Sequence, residues 1–455
     1  MNYSKFISEK KLLFGSSGFE PGELNDKMFP FQKDFTAWAI RKGRACLFEE
    51  CGLGKTIQQL EWAKQISAHE KAPVLGVAPL AVNKQTKREG EKFGYRVNIC
   101  ESSDNMKRGI NITNYEKLHR FSTKNLAGVF LDESSILKNM SGVIRNQIID
   151  MFSKTPYRLA CSATPSPNDY MELGNHSEFL GVMTYPEMLS MFFINDPGDV
   201  GKWRLKKHAK ERDFWEWLCS WAIMVSNPSD FGYDSEGFDL PELEYIEHKI
   251  KSPKQKGFLL TPLANTMEER RQVRKETVES RCKLAADIIN STDHNWVIWC
   301  GLNSESELLS KLIKESKEVI GSQDNDLKAK LMLDFADNRI KRIITKPKIS
   351  GFGMNWQNCA DMMFVGLSDS WEELYQATRR LWRFGQTKPV KAHIIIDERE
   401  GKVLENIKRK DRQARHMIKS MIKYTKDITK AEISKKRESK SYIPTMKMEL
   451  PKWIG

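Results

Sequence analysis

The sequence predicts an α/β fold: two doubly wound parallel-sheet domains, a helical connector between them and a basic helical tail behind. Three observations carry this. Short apolar runs alternate with longer amphipathic stretches, and such runs read as buried parallel strands with crossover helices between them. The alternation stops near residue 175 and resumes near 246. The 455 residues allow about two to four domains of ordinary size, and a hydrophobic fraction of 40% can fill real cores.

In chain order, the expected strands are ACLF (45–48), VLGVAP (74–79), GVFLD (128–132) and YRLACSAT (157–164), all within a first domain at 1–175. The stretch 176–245 is rich in Trp, Phe, Met and basic residues and reads as the connector. Its end carries the turn signals Asn227-Pro228-Ser229-Asp230 and Asp239-Leu240-Pro241. Strands WVIWC (296–300), RIIT (342–345) and MMFVG (362–366) then mark a second domain at 246–400. Residues 401–455 read as basic helices followed by an extended end with Pro444 and Pro451. No internal repeat marks a solenoid.

Composition narrows the function classes. No uncharged apolar stretch approaches the ~20 residues that cross a bilayer, so no membrane role is expected. The opening MNYSKFISEKKLLFGSSG lacks the apolar stretch of a signal peptide. Eight widely spaced cysteines with no CxxC pair suggest neither a structural zinc site nor a disulfide framework. Reduced thiols in a cytoplasmic protein are the plain reading. Lys and Arg number 73 against 60 Asp and Glu, a net charge of +13, and +10 of it falls in 401–455, where 16 basic residues face 6 acidic ones. That excess favours a polyanionic partner, nucleic acid first, although a solvated helix face gives the same count.

Two basic segments stay open. KWRLKKHAKERDFWEWLCSW (202–221) interleaves aromatics with seven basic residues, His208 included. It is either a protrusion gripping a strand or partner, or a helix burying Trp215, Leu218 and Trp221; spacing of three and four favours core. KRKDRQARHMIKSMIKYTKDITK (408–430) either clamps DNA or braces the second domain with Met417, Ile418, Met421 and Ile422.

The sharpest local signal is LFEECGLGKTIQQLEWA (47–63). A strand ends, Gly52 and Gly54 follow, then Lys55, Thr56 and a helix. Glycines let backbone N–H groups close on phosphate oxygens, and the helix N-terminus adds its positive end. Lys55 reaches the β- and γ-phosphates of ATP, and the Thr56 hydroxyl ligates Mg²⁺. The usual pattern has Gly where this chain has Glu49. VFLDESS (129–135) delivers Asp132 and Glu133 at a strand's C-terminal end, the ligand-binding edge of an open parallel sheet. Asp132 is the candidate metal residue and Glu133 the group that polarises the attacking water. In QATRRLWRFGQ (376–386), Arg380 and Arg383 stand three apart, one turn of a helix, and planar guanidinium groups suit a phosphoryl group gathering charge.

In this order the segments resemble the superfamily-two helicase-like ATPases, and among them the Swi/Snf-type DNA translocases in their compact bacterial or phage-encoded form. The resemblance runs from about Phe29 to Lys391. FPFQKDFTAW (29–38) is similar to the adenine-reading element, with Gln32 as reader. EECGLGKTIQ (49–58) matches that family's own phosphate loop, which also lacks the first glycine. LDESS (131–135) stands at the Asp-Glu-x-His box, with Ser135 for His, which leaves open what replaces that contact. CSATPSPN (161–168) resembles the element that couples hydrolysis to movement, which implies that role for Ser162, Thr164 and, in the sixth motif, Gln376. DLPELEYIEHKI (239–250) resembles the start of the second domain, and TKPKISGFGMNWQNCAD (345–361) the glycine-rich fifth motif, with Gly353 at the nucleotide. Arg379 stands where the family often has Asp.

The resemblance implies two RecA-like lobes that close on ATP and Mg²⁺, using Gln32, Gly52, Gly54, Lys55, Thr56, Asp132 and Glu133 from one side and Arg380 and Arg383 from the other. It implies a phosphate-backbone track on loops at strand ends: Lys84, Gln85, Lys87, Thr113 and Asn114, then Asn303, Lys346 and Lys348. The expected activity is ATP-driven translocation on duplex DNA in replication, recombination or repair, with protein partners from those processes. Rivals are a strand-separating DNA or RNA helicase, the motor of a nuclease or restriction assembly, and an inactive scaffold.

Overall fold

The computed structural model describes residues 14–79, 82–138, 142–166, 169–195, 203–207, 209–251, 263–264, 266–350, 354–368 and 370–433. Gly353, His208, Pro167, Asn168, Pro444, Pro451 and the Met417 side chain lie outside that description.

The chain forms two parallel sheets. The first is built from β1 (Arg44–Glu49), β2 (Val74–Ala78), β3 (Val97–Ile99), β4 (Ile110–Asn114), β5 (Gly128–Asp132) and β6 (Tyr157–Ser162). A small antiparallel hairpin, β7 (Phe193–Asn195) with β8 (Trp203–Leu205), follows, and then β9 (Ala222–Val225). The second sheet holds β10 (Leu243–Ile250), β11 (Trp296–Trp299), β12 (Ser316–Val319), β13 (Arg342–Thr345), β14 (Asp361–Phe364) and β15 (Val390–Asp397). The orders are β3-β4-β2-β5-β6-β1-β9 and β10-β15-β14-β11-β13-β12. Every pairing in both is parallel.

All seven apolar runs read from the sequence are strands in these sheets. They were legible because a parallel strand covered on both faces is apolar along its length. Two of the strands not foreseen, β12 and β4, break that rule. β12 reads SKEV at a sheet edge and is half-exposed, while β4 carries Asn111 and Thr113 into the interior. Asn111 is tolerated because its amide donates to the carbonyls of Lys107 (2.6 Å) and Gly109 (3.2 Å).

Each sheet is covered on both faces. In the first lobe one face buries Phe35, Trp38, Leu60 and Trp62 from the helices Pro30–Lys42 and Lys55–Glu70. The other buries Ile148, Phe152, Phe179, Trp215, Trp217 and Trp221. The aromatic stretch read as a connector is therefore packed onto the first sheet: β9 pairs with β1, and Trp215, Leu218 and Trp221 face the core. The core alternative for 202–221 holds for these residues.

The tail helix, Gly401–Ile433, differs from expectation. Val403, Ile407 and Ala414 pack into the second lobe, whereas Met421 and Ile422 enter the core of the first. Tyr424 stacks on Trp215, ring centroids 5.4 Å apart. A helix 33 residues long, at about 1.5 Å per residue, is long enough to reach from one lobe to the other. Sequence periodicity gives its apolar stripe but not the partner at each end. Met421 is fully buried, so Met421→Ala should lower stability by about 2–5 kcal/mol, read by urea unfolding followed by circular dichroism. A loss below about 0.5 kcal/mol would place Met421 at a solvated surface.

Candidate active site

In a parallel sheet all C-terminal strand ends share one edge, so the loops after β1 and β5 meet at the same place. The loop after β1 leads into the helix Lys55–Glu70 through Gly54, whose φ of 82° is left-handed. A Cβ on Gly54 would come within 2.3 Å of the Gln32 amide nitrogen, and one on Gly52 (φ +95°) within 2.8 Å of the Phe384 backbone nitrogen of the second lobe. Both positions need glycine for conformation and for close approach. Gln32 Nε2 donates to the Leu53 carbonyl (2.8 Å), and its Oε1 accepts the Phe29 N–H (3.0 Å). The amide thus props the phosphate loop. Lys55 Nζ donates to the Glu49 (2.7 Å) and Glu50 (3.1 Å) carbonyls, which holds the ammonium at the loop.

Asp132 and Glu133 follow at the end of β5. Asp132 Oδ1 accepts from Gln59 Nε2 at 2.9 Å. Burial, and secondarily the Glu133 charge, hold its pKa above the ordinary carboxylate value. Glu133 sits at φ 53°, a conformation costly for a residue with a Cβ. Its Oε1 accepts two hydroxyls, Ser162 Oγ at 2.9 Å and Ser135 Oγ at 3.0 Å. Ser135 therefore touches the carboxylate directly. Ser162 Oγ also accepts the Thr164 N–H (3.0 Å), so of the residues read as coupling elements Ser162 stands one hydrogen bond from Glu133 and Thr164 two.

From the second lobe come Arg380 and Arg383. Their placement corrects one detail. The helix Trp371–Thr378 stops before them, and the pair lies in the turns that follow, not on a helical face. Both nevertheless converge: each Nη1 donates to the Met354 carbonyl, at 3.4 and 3.3 Å. Arg380 is buried, and its Nε has no partner among the described residues. Burial pulls its pKa down to about 10, against the opposing pull of Cys51, Glu133 and Asp132. Gln376, in the same helix, donates to Glu372 at 3.5 Å.

These groups enclose a cavity of about 390 Å³, lined by Gln32, Gly52, Gly54, Lys55, Thr56, Asp132 and Glu133 from one lobe and by Arg380, Arg383 and Phe384 from the other. The donor set fits a nucleoside triphosphate with Mg²⁺: a lysine and glycine-loop N–H groups for phosphate, and a hydroxyl with a buried acid for the cation. The unpartnered Arg380 Nε marks a donor still seeking an acceptor.

A larger cleft of about 700 Å³ lies between the lobes, with Glu133 and Ser135 also in its wall. Lys84, Asn114, Lys348 and Gln376 line it. Asn303 and Lys346 are bonded to each other. Lys84 is paired with Asp326, and Lys348 lies 3.8 Å from Glu373. Lys87 is exposed on the helix Val82–Lys92. Two track candidates are placed otherwise. Gln85 faces the smaller cavity and donates to Glu89 at 2.9 Å. Thr113 is fully buried, because β4 is covered on both faces, and its hydroxyl has no partner among the described residues.

Glu49, where a glycine was expected, is fully buried. Its Oε2 accepts from Gln58 at 2.8 Å, while Oε1 has no partner among the described residues. Burial raises its pKa from 4.5 to about 7, opposed by Lys55 and Gln58. The folded value lies above the unfolded one, so its stabilising contribution is complete below about pH 4.5 and is lost as pH rises through 7. Glu49→Gln should flatten that dependence and raise stability at pH 8 by on the order of 1–3 kcal/mol. Thermal melts between pH 5 and 8 test this, and an unchanged pH slope would contradict it.

Sequence reasoning did not assign roles to Gln59, Glu50, Tyr375 or Arg379. Only Arg379 carried a signal, as an added charge near the cleft.

Residues 31–193 match the SNF2-related domain. The mouse DNA annealing helicase and endonuclease ZRANB3 is 23% identical over 439 residues, covering 83% of this chain, and the human protein of that name is 21% identical over 421 residues. The chain spans 39% of the length of these relatives. A solved Sulfolobus solfataricus SWI2/SNF2 ATPase core in complex with dsDNA matches over 83% of this chain and 90% of its own, at 20% identity and a TM-score of 0.42.

Proposed function

We propose that this chain is an SNF2-type ATPase, a DNA-stimulated motor that hydrolyses ATP at the seam between its lobes and moves along duplex DNA. A role in replication, recombination or repair is part of that reading. The observation that carries it is the convergence of Arg380 and Arg383 on a cavity whose opposite wall holds Lys55, Asp132 and Glu133. The relatives that match are DNA-acting by name, which favours DNA over RNA.

The first lobe holds the phosphates through the loop N–H groups and Lys55, with Thr56 and Asp132 as the cation's ligands. Mg²⁺, when bound, neutralises charge on the β- and γ-phosphate oxygens. Glu133, aimed by Ser162 and Ser135, takes the proton of the attacking water. Arg380 and Arg383 stabilise the charge that grows on the transferred phosphoryl group. They reach it only when the lobes close, so hydrolysis is tied to closure and release to reopening. Ser162 and Thr164 carry the state of Glu133 into the first lobe. The cleft that shares Glu133 with the nucleotide cavity is where the DNA backbone lies, touched by Lys84, Asn114 and Lys348 without reading sequence.

The test is the ATPase rate with no nucleic acid, duplex DNA, single-stranded DNA and RNA, with strand- and triplex-displacement assays beside it. Strongest stimulation by duplex, with triplex displacement and no strand separation, is expected. Stimulation by RNA alone, or efficient strand separation, would overturn the reading.

A further inference from the structure

The lobes meet at a second polar contact beside the arginines, formed by Glu50, Tyr375 and Arg379. Glu50 Oε1 accepts Arg379 Nη2 at 2.8 Å, the Tyr375 hydroxyl, and the Cys51 N–H at 2.8 Å. Arg379 lies over the Trp382 ring (4.5 Å to the centroid) and beside Tyr375 (5.6 Å), and its Nη1 donates to the Trp382 carbonyl at 3.1 Å. The Arg379 side chain is 6% exposed and the Glu50 side chain 16%. Burial acts to raise the Glu50 pKa, but Arg379, Tyr375 and the Cys51 N–H outweigh it and hold the carboxyl below its ordinary value. The pair is therefore ionised and stacked, not a loose surface contact.

Its position gives it consequence. Glu50 opens the phosphate loop, and its own carbonyl accepts Lys55 Nζ. Arg379 directly precedes Arg380. One ion pair thus ties the segment that holds the lysine to the segment that holds the arginines.

We infer that Glu50, Tyr375 and Arg379 form a cross-seam latch that positions Arg380 and Arg383 against the phosphate loop when the lobes close. These are positioning residues: none supplies the charge that reacts. A buried ion pair regains hydration when its partners separate, so its net strength is modest and its geometry is what matters. The planar guanidinium, held by Glu50 at Nη2 and by the Trp382 carbonyl at Nη1 and lying over the Trp382 ring, fixes direction as well as distance. Loss of the latch should leave ATP binding to the first lobe nearly intact and slow the step that needs registered arginines. This inference rests on the proposed hydrolysis at the seam.

The experiment is a double-substitution cycle of Glu50→Ala, Arg379→Ala and both together, with Tyr375→Phe as the mild variant that keeps the ring. At saturating duplex DNA each single alanine should lower kcat by about 10- to 100-fold, with KM for ATP changed by less than about threefold. The double variant should be no worse than the poorer single one, because either loss breaks the same unit. Tyr375→Phe should lower kcat by a few-fold. Effects that multiply in the double variant, or single variants with the parent's kcat, would overturn the latch. Thermal unfolding of the same proteins reads the contact without hydrolysis. Each single alanine should lower Tm, and the double shift should be smaller than the sum; additive shifts would remove the contact. A parent with no ATPase activity defeats the proposed function and leaves the melting cycle to decide the contact. An active parent with a multiplicative cycle defeats the latch alone.

Discussion

Alanine at Arg380 or Arg383 should cut DNA-stimulated kcat by about 10³-fold or more, the range for an arginine completing a phosphoryl-transfer site. ATP affinity should fall far less, because the lysine, the glycine loop and the acid pair all belong to the first lobe. The two arginines share one carbonyl, that of Met354, so their effects should not add: the double variant should resemble the worse single one. Arg380 is buried and Arg383 half-buried, so Arg383→Ala is the safer protein to make. Steady-state hydrolysis with duplex DNA, beside equilibrium binding of a fluorescent ATP analogue, separates the two quantities. Equal losses in binding and turnover would show the arginines to be ground-state ligands instead.

Glu133→Gln should lower the chemical step by about 10²- to 10⁴-fold, the span for loss of a positioned general base. The amide oxygen can still accept from Ser162 and Ser135, which now bond to the carboxylate at 2.9 and 3.0 Å. Geometry is therefore kept while the proton acceptor is lost. The strained backbone at φ 53° is unaffected, so the variant should fold, bind ATP and hold DNA in an ATP-dependent way without turnover. Single-turnover hydrolysis of labelled ATP checks it. A rate equal to the parent's would remove Glu133 from the reaction.

Much of this architecture was legible in the primary structure, for a physical reason. Buried parallel strands are apolar throughout, so β1, β2, β5, β6, β11, β13 and β14 announced themselves. The phosphate loop did so because glycine is the residue that fits beside Gln32 and Phe384. What stayed hidden depends on partners distant in the chain. Met421 and Ile422 lie on a plain apolar stripe, and nothing in the stripe says that it enters the first lobe and not the second. Thr113 looks like a loop residue until β4 is seen to be covered on both faces. Arg379 and Glu50 are 329 positions apart, and nothing in the sequence pairs them until the seam closes on both. The replacement of a histidine by Ser135 was an open question in the sequence. In the structure the Ser135 hydroxyl donates to Glu133.

The most direct measurement is a structure of the protein on duplex DNA with ADP and a γ-phosphate mimic. The mimic should lie within hydrogen-bond reach of Lys55 Nζ on one side and of an Arg380 or Arg383 guanidinium on the other, with Glu133 facing the attacking position. A complex in which both arginines turn away from the mimic while the lobes remain closed would contradict hydrolysis at the seam.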